Sequence, residues 1–141
     1  MSVPSLPQIP VSWGELLDKL TILEIKRTRI ADPAARANVA REYDLLSAIG
    51  DAVVRQDEIA PLLRRLQAIN KDLWEIEDAI RAEDANADFG PRFVALARSV
   101  YARNDERAAV KRAINLTLGS ALVEEKSYAH AANAPAVEAC P

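Results

Sequence analysis

The side chains best placed to do chemistry lie on one stretch, Arg98, Tyr101, Asn104, Asp105, Ala108, Lys111 and Asn115, recurring every three or four positions. That spacing is one face of an α-helix. Phe93, Ala97, Val100, Ile114 and Leu118 fall in the same register, so the face is expected to be buried. Buried Arg, Asn, Asp and Lys cost free energy unless each is paired. The stretch therefore predicts either a paired polar network or a binding site. Between Arg92 and Arg112 stand six basic residues and two acids, Asp105 and Glu106. Arg103, Arg107 and Lys111 follow at i, i+4 spacing, where like charges repel. A phosphate or carboxylate ligand would relieve that repulsion. So would solvation, or Glu124 and Glu125 folding back onto the stripe.

A second polar row runs Leu63, Gln67, Asn70, Trp74, Glu77, Arg81. Antiparallel packing would set Glu77 and Arg81 against the early part of the polar helix, and Asp18, Lys19, Thr21, Glu24 and Lys26 could close the network from a third element. The candidate ligand-binding set is Glu77, Arg81, Arg98, Tyr101, Asn104, Asp105, Arg107, Lys111 and Asn115, with an anionic metabolite such as a nucleotide-sugar as the matching ligand class. Against it stands a set of structural ion pairs that fix helix register.

Catalysis has thin support. The one His, His130, and the one Cys, Cys140, both lie in the Ala-rich end, which removes His-based catalysis and most transition-metal sites. Glu75, Glu77, Asp78 and Glu83 form a carboxylate-rich turn of the kind that holds Mg²⁺ in helical pyrophosphohydrolases. The second paired-carboxylate helix is missing. A hydrolase using Glu77, Asp78 and Asp105 is the weakest alternative, and no metal site and no cofactor are expected. The formal charge of −3 argues against nucleic acid and anionic membrane as partners. A lone Cys fits a reducing cytoplasm, and Met1–Pro10 has neither the basic nor the apolar region of a signal peptide.

The elements follow from punctuation and periodicity. Pro4, Pro7 and Pro10 make residues 1–11 a flexible leader. Ser12-Trp13-Gly14-Glu15 reads as a capping box with Glu15 reaching back, opening a central helix to Ile30 with a second apolar face at Ile22 and Ile25. Asp32-Pro33 starts a helix that buries Val39, Tyr43, Leu46 and Ile49 and stops at Gly50, followed by a loop over 51–57. Ile59, Leu62, Leu66, Ile69, Leu73, Ile76 and Ile80 alternate three and four, a heptad seam on a third helix to Asp84. Gly90-Pro91 opens a fourth helix ending near Leu118. Residues 121–128 suit a short helical turn, and 129–141 a disordered Ala-rich tail. No segment alternates as a strand does. The expected fold is an all-α bundle of four main helices over 12–128, with long antiparallel third and fourth helices. The heptad seam and the two-faced first helix together predict a homodimer.

Four blocks carry a resemblance: Ser12–Leu16 running into Asp18–Lys26, Leu73–Arg81, Ala97–Tyr101 with Asn104–Ala108 and Lys111, and Glu124–Tyr128. Together the chain resembles an uncharacterised family of small all-helical bacterial proteins, a domain family of unknown function, over roughly Val11 to Tyr128. The resemblance implies a setting near surface-polysaccharide and glycosyltransferase genes, and carries no catalytic residue or cofactor. The expected function is a non-enzymatic interaction or assembly protein with a buried polar network. Binding of a phosphorylated or carboxylated metabolite is the alternative.

Overall fold

A computed structural model of the chain describes residues 2–127. Four helices form the described chain: α1 (Trp13–Arg29), α2 (Pro33–Val54), α3 (Ala60–Ala85) and α4 (Pro91–Thr117). Among the described residues there is no strand, and the all-α bundle stands as expected. The proposed tail over 129–141 lies outside the described residues.

The first two helices begin at a side-chain cap, and α3 and α4 open with a proline in the first turn and no side-chain cap. The Ser12 hydroxyl accepts the Glu15 amide at 3.1 Å, and the Asp32 carboxylate accepts the Ala35 amide at 2.8 Å. The capping box is only half made, because the Glu15 carboxylate turns instead to Lys111. The helix α2 does not stop at Gly50. A Cβ there would lie 2.7 Å from Leu20 Cδ1, so this glycine is a packing residue that lets α1 close on α2, and the helix runs on to Val54. The buried positions of α2 are accordingly Val39, Gly50 and Val53, while Ile49 is exposed. At the end of α4 the backbone does reverse at a glycine. Gly119 has φ +61, and the Ser120 amide returns to the Asn115 carbonyl at 2.8 Å, the left-handed cap that glycine accepts without strain. Residues 121–127 form no helical turn; this strap folds back along α4, held by Glu124 on Lys111 and Glu125 on Arg112.

The helix α1 is the centre of the molecule. It packs against all three others, α3 and α4 pair antiparallel, and α2 lies on the far side of α1. The core joins Leu16, Leu17 and Leu20 of α1 to Leu66, Ile69 and Leu73 of α3 and Val110 and Ile114 of α4. Each such side chain, fully buried, contributes about 1.5–3 kcal/mol. Contacts along α1 show that it crosses the α3–α4 pair diagonally. Its first turns meet the C-terminal part of α4, and its last turn reaches the outer side of α3 through Arg29–Glu75. Residues 74–109, the end of α3, the connecting turn and most of α4, contain no buried residue. The heptad seam is buried at Ile59, Leu66, Ile69 and Leu73 and half-buried at Leu62 and, at the uncovered end, at Ile76 and Ile80.

Candidate functional site

The polar network sits where α1 crosses α3 and α4. Asn70 on α3 is its hub and is 4 % exposed. Its amide nitrogen donates to the Asp18 carboxylate at 2.8 Å and to the Thr21 hydroxyl at 2.7 Å. Thr21 in turn donates to the Asp18 backbone carbonyl at 2.7 Å. The Asn70 carbonyl accepts from Arg107 at 3.0 Å, and the second guanidinium arm of Arg107 donates to Asn104 at 2.7 Å. Asp18 and Thr21 stand three apart and Arg107 and Asn104 three apart, so each pair shares a helix face.

One turn along α4, the Lys111 ammonium donates to Glu15 at 2.7 Å and to Glu124 at 2.9 Å, with Asp18 Oδ2 3.7 Å away. Burial alone opposes the charge on Lys111. The bonds to Glu15 and Glu124 and the nearby Asp18 charge outweigh it, and the pKa lies above the ordinary lysine value. The Lys111 bond likewise holds the Glu124 carboxyl below its ordinary value. One turn further, Asn115 accepts the Gly14 amide at 2.7 Å. A Cβ on Gly14 would lie 2.5 Å from the Lys111 carbonyl, so the glycine is what lets the α1 backbone touch α4. Among the described residues no buried side-chain nitrogen or oxygen lacks a partner.

Beside the network, in the open angle between α1 and the far half of the α3–α4 pair, lies a groove of about 520 Å³. Ile22, Leu73, Trp74 and Val100 give it an apolar floor, while Glu77, Asp78 and Arg81 on α3 face Asn104 and Arg107 on α4. Glu77 and Arg81 are 4.0 Å apart and largely exposed.

The nine candidate residues thus divide. Lys111, Asn115, Arg107 and Asn104 belong to the network. Glu77 and Arg81 line the groove, which Asn104 and Arg107 share. Arg98, Tyr101 and Asp105 do not join either: they are exposed, and Arg98 and Tyr101 meet only each other, at 3.4 Å. The polar face of α4 is consequently buried only from Val110 onward, because α1 covers only that end. Lys19 points away to Glu42, Glu24 bonds Gln67 and Tyr43, and Lys26 makes no side-chain bond to the network. Outside the nine, Glu15, Asp18, Thr21, Asn70 and Glu124 complete the network, and Trp74 joins Ile22, Leu73, Asp78 and Val100 in lining the groove. The i, i+3 placement of Asp18 and Thr21 and the α3 polar row hold the sequence signal for Asp18, Thr21, Asn70 and Trp74. The fit of Glu15 to a capping box masks its role, whereas Glu124 folds back onto the basic stripe, one of the arrangements the sequence left open.

Four of the six bases of the stripe are paired with acids of the chain, Arg92 with Glu83 among them, while Arg98 and Arg107 bond neutral side chains. Arg103 pairs with Asp72 and Glu106, Arg112 with Glu125, and Lys111 with Glu15 and Glu124. No group of three or more His, Cys, Asp or Glu side chains among the described residues is placed to hold a metal ion, and Glu77, Asp78 and Asp105 do not converge. No helix among them is long and apolar enough to cross a membrane.

A diagonal helix clamped by a polar network onto a long antiparallel pair defines a small all-α domain. The chain belongs to a family of unknown function (DUF6165), whose model matches residues 8–139. No curated protein and no solved structure matches it.

Proposed function

We propose that this chain is a non-enzymatic helical interaction or assembly protein, self-associating as a homodimer in a bacterial cytoplasm, in which the buried polar network sets the register of the helices. The observation that carries this reading is the Lys111 node. A nearly buried ammonium has two carboxylates bonded to it and a third close by, all from its own chain. Such a group has nothing left to offer a ligand. Polar pairs in a helix seam weaken alternative registers, because a slip by one turn leaves buried charges unmatched.

A second reading is favoured by the groove, where an indole floor and the guanidinium groups of Arg81 and Arg107 suit a phosphorylated or carboxylated metabolite. One experiment separates the two: a thermal-shift panel of nucleotides, nucleotide-sugars, sugar phosphates, polyanions and divalent metals. A ligand at about 100 times its Kd stabilises by about 2.7 kcal/mol, several degrees in Tm for a domain of this size. No shift across the panel is expected. A selective shift by one class, lost in an Arg107→Ala variant, overturns the interaction reading in favour of a metabolite site.

A further inference from the structure

The far half of the α3–α4 pair is an unfinished bundle. From Trp74 to Ala109 no residue is buried, although α3 continues there for about 18 Å and α4 for about 28 Å. Two antiparallel helices alone bury one seam and leave their outer faces wet, and stable bundles add a second pair. The uncovered face is not an ordinary polar surface. Trp74 and Val100 lie half-buried in it, and Phe89, Val94 and Tyr101, each more than half exposed, carry apolar surface on around the hairpin tip.

We infer that this face is the homodimer interface, and that two copies bring their α3–α4 hairpins together to complete a four-helix bundle, the groove of each filled by the other. The inference rests on the assembly reading above and names its surface. Charge is what selects a second copy as the occupant. The groove walls carry two acids, Glu77 and Asp78, and two bases, Arg81 and Arg107, so the groove is neutral and complementary to itself. A two-fold axis puts every residue of such a face opposite its own neighbourhood, and Glu77 of one copy meets Arg81 of the other. The intrachain Glu77–Arg81 approach is only 4.0 Å, with Arg81 80 % exposed, so both groups are free to re-pair. The other flank of α3 is less available, since Arg103 closes it onto Asp72, and Arg92 onto Glu83 at 2.8 Å.

The test uses the full chain in reducing buffer, so that Cys140 makes no covalent link. Sedimentation equilibrium is run on the wild type, Glu77→Arg, Arg81→Glu and the double swap. Both residues are exposed enough for the monomer fold to tolerate the changes, which circular dichroism verifies. The wild type is expected to be a dimer at micromolar concentration. Each single variant should weaken it by about tenfold or more through like-charge contact, and the double swap should recover most of that loss. In a Trp13→Phe background, Trp74 emission should move to longer wavelength on dilution, as the indole becomes wet. A monomer at every concentration overturns the inference and with it the homodimer of the reading above, and leaves the thermal-shift result to decide between assembly with a different protein and a metabolite site. A dimer indifferent to all three variants, with Trp74 emission equal in both states, overturns the surface and keeps the dimer.

Discussion

Replacing Lys111 by Met keeps the length and apolar stem of the side chain and removes only its charge. Three carboxylates lose their cation. Glu15 and Glu124 have side chains 48 % and 43 % exposed, so water replaces most of what Lys111 gave them. Asp18 is different: its side chain is 7 % exposed, and only the Asn70 amide still donates to its carboxylate. Breaking one partner out of a buried pair costs about 3–5 kcal/mol. With a 3.7 Å separation and one hydrogen bond retained, about 2–4 kcal/mol is expected. That is about 10 °C in Tm for a domain of this size, read by urea and thermal melts followed by circular dichroism. Asp18→Asn in the Lys111→Met background removes the stranded charge and keeps an oxygen for Asn70, and it should return about half the loss. A Lys111→Met protein as stable as wild type, or more stable, refutes the reasoning, because it would mean the node is not a coupled pair.

Two glycines make opposite predictions. Gly14→Ala drives a Cβ into the Lys111 carbonyl and the Asn115 amide, at 2.5 and 2.9 Å, and should cost about 2–3 kcal/mol in a chemical melt as the backbones part. Gly50→Ala meets only the far end of Leu20 at 2.7 Å, which can turn aside, while the helix interior gains about 1 kcal/mol from losing glycine; the sum should fall within about 1 kcal/mol of zero. The strap should be acid-labile. The Glu124 carboxyl is held below its ordinary value of 4.5, so its contribution is complete above that pH and is lost as the pH falls through the lowered value. Protection of the Leu118, Gly119 and Ser120 amides, taken relative to the intrinsic exchange rate at each pH, should therefore be lost below that pH before the core opens. The Lys111 value is raised above 10.5, so its side of the same bond is complete below that pH and fails only on strong alkalinisation; an alkaline transition of the strap near neutrality would contradict the geometry.

The helices were readable because their signals are local. Ser12, Asp32, Pro33 and Gly119 act within one turn of themselves, and the heptad from Ile59 to Ile80 needs no knowledge of what covers it. The errors share one cause, which is that a residue's neighbour in space decided its role. Gly50 reads as a stop by propensity, yet it sits inside α2 because Leu20 occupies the space its side chain would need. Glu15 has the spacing of a capping partner, yet a charged ammonium brought from α4 is the stronger attraction. Arg98, Tyr101 and Asp105 share a helix face with Lys111 and Asn115, but periodicity cannot say how far along a helix its neighbour extends, and α1 covers only one end of α4.

That limited coverage also explains why the polar residues lie where they do. An apolar seam repeating every seven residues packs almost as well after a slip of one heptad, so Leu66, Ile69 and Leu73 cannot by themselves choose where α1 rests. The Asn70 amide can. It needs the Asp18 carboxylate and the Thr21 hydroxyl of α1 on one side and the Arg107 guanidinium of α4 on the other, and a slip of α1 by one turn withdraws the first two together. Gly14 adds a steric stop at the same crossing through its approach to Lys111. If the network sets the register as proposed, it holds α1 at an angle that exposes the groove, whereas a wholly apolar crossing would leave both the angle and the exposed face undetermined.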